Sequence, residues 1–153
     1  MAQCRAPVET SETKLDVIRK ILIGSVLGVA LPAWSASCGS ALPEKNRQIV
    51  RVDDLEMAFT ATPWPLPVGQ HFRLDMAVCN APSAGTPTAI RVDAEMPLHK
   101  HGMNYLVRVT PSGKGGLYTA EGLMFHMPGR WRIIFDVDVN GYSRRLTKDL
   151  DVE

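Results

Sequence analysis

The sequence predicts an all-β protein: an immunoglobulin-like antiparallel β-sandwich of about seven strands, preceded by an N-terminal signal helix. Three observations predict it. After residue 48, apolar and polar residues alternate in short runs with the period of a strand, and no helix-period segment appears. Clusters of Gly, Pro, Asn and Ser separate the runs. Between the last two stands Asn140-Gly141, a dipeptide whose residues both tolerate the positive φ of a type I′ hairpin turn.

The elements follow in order. Ile21 to Ala33 is an almost unbroken apolar run behind Lys14, Arg19 and Lys20, and it is followed by the small residues of Ala33-Trp34-Ser35-Ala36-Ser37. Charged, then apolar, then small is the order of a secretory signal. The run is too short to cross a hydrocarbon core of about 30 Å comfortably as a helix. Residues 1–37 therefore read as a signal peptide, cleaved or retained as an anchor. Both Ala33-Trp34-Ser35 and Ser35-Ala36-Ser37 suit a signal peptidase. The second would leave Cys38 first and raises lipidation, but Ser35 stands where a lipoprotein box has Leu. Residues 38–48 have no apolar period and read as an extended tail. Residues 49–153 form the sandwich domain.

Seven strand runs are expected there: Ile49–Phe59, Gly69–Cys79, Thr88–Met96, Tyr105–Thr110, Leu117–Phe125 (bent at Gly122), Arg130–Val139 and Tyr142–Val152. In the second, Phe72, Leu74, Met76 and Val78 share the inward parity. In the sixth, Trp131, Ile133, Phe135, Val137 and Val139 do. Gly116-Leu117-Tyr118 resembles a tyrosine corner.

Composition narrows the function. The chain has 153 residues, 45% hydrophobic and with a net charge of +1, which fits one folded domain and excludes a basic nucleic-acid binder. Losing residues 1–37 removes four basic and three acidic residues and leaves thirteen of each. No basic stripe remains for DNA or an anionic membrane, so membrane contact is expected only through the N-terminal segment. No nucleophile elbow, phosphate-cradling loop or dinucleotide fingerprint is present. The Gly-rich Ser112–Gly116 joins two strands and lacks the helix a P-loop needs. An enzyme is not expected.

The chemistry-bearing segment is Met96-Pro97-Leu98-His99-Lys100-His101-Gly102-Met103. On an extended chain His99 and His101 project from one face. Imidazole suits copper and zinc, thioether selects Cu(I), and the lack of a carboxylate disfavours calcium, magnesium and manganese. A second segment, Met124-Phe125-His126-Met127, places Met124 and His126 on the face away from Leu123, Phe125 and Met127. Three of the four His and four of the seven Met fall in these two segments. The expected site is copper, Cu(I) or Cu(II), held by His99 and His101 with Met103, Met96, Met124 or His126. The competing readings are methionines that fill the core, and zinc. His71 reads as structural.

Cys38 and Cys79 remain after the signal. Cys79 has the outward parity of its strand, so it is available to a segment lying across the outside of the sheet. A Cys38–Cys79 disulfide would pin the tail there, as export to an oxidising compartment favours. The alternative is a free Cys79, with Cys38 lipidated or removed.

Pro65-Leu66-Pro67-Val68-Gly69-Gln70-His71-Phe72, the Met96-Pro97 loop with His-x-His-Gly, Gly116-Leu117-Tyr118 and Phe125-His126-Met127-Pro128-Gly129-Arg130-Trp131 follow one another in an order that resembles the YtkA-like domain family, related to the FixH-like domains. The resemblance covers roughly residues 50–152. It implies an extracytoplasmic immunoglobulin-like sandwich with a role in copper handling or oxidase assembly. FixH-like proteins usually carry a longer membrane helix, and the short apolar run departs from that. The expected function is an exported copper carrier, or an accessory protein to a periplasmic redox protein or oxidase. The alternative is a metal-free β-sandwich domain that docks a partner protein.

Overall fold

The alternating runs pair into two antiparallel sheets. The structure, a computed structural model, describes residues 38–80, 85–113 and 115–153; the predicted signal segment, 1–37, lies outside them. The described residues form nine strands: β1 (Gln48–Val52), β2 (Leu55–Thr62), β3 (His71–Asn80), β4 (Pro87–Met96), β5 (His101–Gly102), β6 (Arg108–Pro111), β7 (Leu117–Met124), β8 (Gly129–Val139) and β9 (Tyr142–Val152). One sheet has the order β1-β2-β3-β7-β6, the other β5-β4-β8-β9.

Period-2 alternation supplies the core between them. Phe72, Leu74, Met76 and Val78 of β3 and Trp131, Ile133, Phe135, Val137 and Val139 of β8 are all buried in one cluster, on the parity expected. The β8–β9 turn has Asn140 at φ 50° and Gly141 at φ 81°, the two positive values that a type I′ turn needs.

Four expectations are corrected or made specific. The run Ile49–Phe59 is a hairpin, in which Val52 pairs with Leu55 across Asp53-Asp54. Asp53 takes the left-handed conformation at φ 50°, which Asp tolerates without a glycine. The fourth strand starts at Arg108, because residues 103–107 belong to the connection from β5. The His-rich loop contains the short strand β5, whose His101 pairs with Met96. The bend expected at Gly122 is a bulge: pairing between β3 and β7 shifts between Phe72–Leu123 and Leu74–Ala120.

The tail crosses the outside of the five-stranded sheet. Cys38 and Cys79 are disulfide-bonded, with their Cα atoms 5.7 Å apart. Leu42 packs on Ala58 and Ala77, whose side chains point away from the main core, and Cys38 and Leu117 join this second cluster. Arg47 Nη1 donates to the Gly39 carbonyl at 2.7 Å and closes the tail on itself. Gly39, at φ +73°, lies so close to the sheet that a Cβ there would run into the Ala58 Cβ. Gly39→Ala should therefore cost roughly 1–3 kcal/mol through the left-handed backbone alone, before the clash. Thermal unfolding of the oxidised protein checks this, and an unchanged midpoint would contradict the close approach.

Candidate functional site

Three connections meet at one end of the sandwich: β2–β3, β4–β5 and β7–β8. All four histidines lie there, because β3 begins with His71, β4 and β5 flank His99, β5 begins with His101, and His126 follows β7. The β4–β5 turn is tight. The Met96 carbonyl accepts the His99 and Lys100 amides at 3.1 and 2.9 Å, and the Met103 amide returns to the Ala94 carbonyl at 2.8 Å. The loop is thus turned at Lys100, with φ 56°, where an extended chain was expected. The turn nevertheless keeps the imidazoles together: the His99 and His101 ring centres are 5.8 Å apart.

His101 is the hub. Its ring centre also lies 5.2 Å from that of His126 on the β7–β8 loop. Its Nδ1 is not tied strongly, lying 3.4 Å from the carbonyl of its own neighbour Gly102. Beneath the pair lies Trp131. Its ring centre is 6.0 Å from His101 and 5.3 Å from His126, nearly perpendicular to both. Trp131 is fully buried, stacks on Phe125 at 4.6 Å, and donates from Nε1 to the Met127 carbonyl at 3.0 Å.

The methionines are placed differently from one another. Met96 is 1% exposed and sits in the main core, its Cε against Gly129. Met103 is buried, and its sulfur accepts the Met124 amide at 3.4 Å. Met124 is half-buried and pairs with His71 across β7 and β3. His99 and His126 are exposed and His101 is half-buried. Among the described residues, no group of three or more His, Cys, Asp or Glu side chains is placed to hold an ion. His71 stands apart from the trio, edge-on to Tyr105 at 5.6 Å, with Nδ1 3.4 Å from the Leu123 carbonyl.

Sequence reasoning did not find Trp131 as part of this cluster. Its parity on β8 marked it as core, which it is; the short connection by which the chain passes from β7 in one sheet to β8 in the other was the available signal.

Away from this end, the outer face of the four-stranded sheet is a lattice of paired charges. Arg145 grips Asp136 at 2.7 and 2.8 Å, Arg132 grips Asp149 at 2.7 and 3.1 Å, and Arg91 grips Asp138 at 2.8 and 3.1 Å. The Arg145 hydrogen bonds hold the Asp136 carboxyl below the usual carboxylate range. Those of Arg91, then Ser143, do the same for Asp138, and those of Arg132 for Asp149. Each carboxylate is more acidic folded than unfolded, so its stabilisation is complete above the unfolded value near 4 and is lost as pH falls through the folded value. Stability should therefore stay level in this respect from neutrality to about pH 5 and decline below about pH 4. Urea midpoints across pH 2–7 test this, and a decline confined to the interval between pH 7 and 5 would contradict it.

No protein-family model matches the chain, and no curated protein matches it. A DUF4426 family protein from Pseudomonas aeruginosa, of known crystal structure, is similar over 72% of this chain and 97% of its own, at 13% identity and a TM-score of 0.52. At that identity the likeness is one of fold: both are β-proteins of this architecture.

Proposed function

We propose that the chain is an exported copper-binding module, a carrier or accessory protein for a periplasmic redox or oxidase system, with His99, His101 and His126 as its ligands. The observation that carries this is the spacing of the rings about His101, 5.8 Å on one side and 5.2 Å on the other. A metal–imidazole bond of about 2.0–2.1 Å puts the ion roughly 3 Å from a ring centre, so two imidazoles sharing one ion in a bent or tetrahedral arrangement have centres about 5–6 Å apart. Met103, two residues after His101, offers a soft sulfur for Cu(I) if it releases the Met124 amide; Met96, which pairs with His101 across β4 and β5, and Met124 are further candidates. The Cys38–Cys79 disulfide is consistent with an oxidising compartment outside the cytoplasm. Since an oxidised pair is not a metal ligand, it leaves the site to His and Met. The signal reading of residues 1–37 and the YtkA-like resemblance support the same placement.

A metal-free docking domain is the second reading, favoured by Leu98 and Leu106, which are 83% and 97% exposed on loops at or beside the same end. Titration with Cu(I) and Cu(II) against chromophoric competitors separates the two. About one copper per chain supports the first, and none bound at micromolar copper leaves the second.

A further inference from the structure

We infer that Trp131 sets the oxidation-state preference of this site, selecting Cu(I) over Cu(II). The inference rests on the copper reading above and adds a residue that is not itself a ligand. The three ring centres of His101, His126 and Trp131 form a near-equilateral triangle with sides of 5.2, 5.3 and 6.0 Å. An ion bound by both imidazoles stands roughly 3 Å from each of their centres. The triangle then puts it between about 3 and 7 Å from the indole centre, depending on the side of the His101–His126 line it takes. All but the outermost of these positions fall within the roughly 6 Å over which an indole attracts a cation.

The indole is held for this task. It is fully buried, with Phe125 stacked on it and the two imidazoles set nearly perpendicular beside it. Stacking on Phe125 at an interplanar angle of 18° fixes its plane. The Nε1 hydrogen bond to the Met127 carbonyl anchors its edge in the loop that carries His126. It has no lone pair to give, since indole nitrogen is a donor only.

These properties act differently on the two ions. Cu(II) takes a tetragonal set of nitrogen and oxygen ligands. A wall of indole beside a pair or trio of imidazoles blocks positions where water would complete that set. Cu(I) is satisfied by few, soft ligands, and the indole π-face compensates it for the water excluded. Trp131 therefore lowers the affinity for one ion and raises it for the other.

The test uses the disulfide-bonded full chain, titrated anaerobically with Cu(I) and separately with Cu(II), in the wild type, Trp131→Phe and Trp64→Phe. Cu(I) should perturb the indole absorption and quench emission in the wild type and in Trp64→Phe. Trp131→Phe should lose that signal and bind Cu(I) about 3- to 30-fold more weakly, as loss of one cation–π contact implies. Its Cu(II) affinity should be unchanged or higher. Wild-type protein that binds Cu(I) with its indole spectrum unaltered would overturn the inference, and this arm holds even if Trp131→Phe does not fold. So would a folded Trp131→Phe with an unaltered Cu(I)-to-Cu(II) preference. Both results leave the histidine site standing, whereas wild-type protein that binds neither ion overturns the copper reading itself.

Discussion

The double variant Cys38→Ser/Cys79→Ser should unfold with a stability about 4 kcal/mol below that of the oxidised protein, from the chain-entropy cost of closing its loop. The two cysteines are 41 positions apart, and that spacing, not bond strength, sets the size of the effect. Removing the cross-link enlarges the unfolded ensemble while the folded chain keeps most of its contacts. The tail also loses its tether. Leu42 on Ala58 and Ala77 then holds it to the sheet, with the Arg47–Gly39 hydrogen bond closing the tail on itself. Equilibrium urea unfolding of the two proteins, with the wild type oxidised, measures the difference. A loss below about 1 kcal/mol would mean that the tail is not pinned to the sheet in the native protein.

Trp131→Ala should cost about 3–5 kcal/mol, the range for deleting a buried aromatic from a packed core. Trp131 stacks on Phe125 and bonds the Met127 carbonyl, so its loss opens a cavity and frees the β7–β8 loop together. His126 sits on that loop, so copper affinity should fall with stability in this variant. His99→Ala should separate the two, because His99 is exposed. Its stability should stay within about 0.5 kcal/mol of wild type, as for most surface changes, while the proposed site loses a ligand. Denaturant unfolding paired with copper titration reads both quantities, and a Trp131→Ala protein as stable as wild type would contradict the packing described.

Much of this fold was legible because antiparallel strands with one solvated side write their pairing into the sequence as alternation. β8 and β9 were readable almost to the residue, since Asn140-Gly141 marks their turn and Trp131 to Val139 keep one parity throughout. The same parity placed Cys79 on the outside of β3, where the disulfide is found. The β1–β2 hairpin was not legible: Asp53-Asp54 turns the chain without Gly or Pro, inside a run that keeps its apolar content. β5 is two residues long, too short to show a period. At the site, the two His- and Met-bearing segments were readable as neighbours because each follows the end of a strand. Their depth was not. Met96 and Met103 are written like ligands, and tertiary packing puts one in the core and the sulfur of the other on a backbone amide. His71 reaches the same end only through the β3–β7 register, which no local pattern encodes.

The central claim is that His101, between His99 and His126, holds copper. The most direct measurement is competitive copper titration of the full chain alongside His101→Ala, His126→Ala and His71→Ala, repeated at acid pH. Imidazole binds metal only when deprotonated, so apparent affinity should fall as the solution is acidified. His101→Ala should weaken binding by at least the roughly 10–100-fold that loss of even an outer-sphere partner costs, His126→Ala should follow it, and His71→Ala should match the wild type. Binding that ignores both pH and the loss of His101, or that depends on His71 instead, would contradict the account.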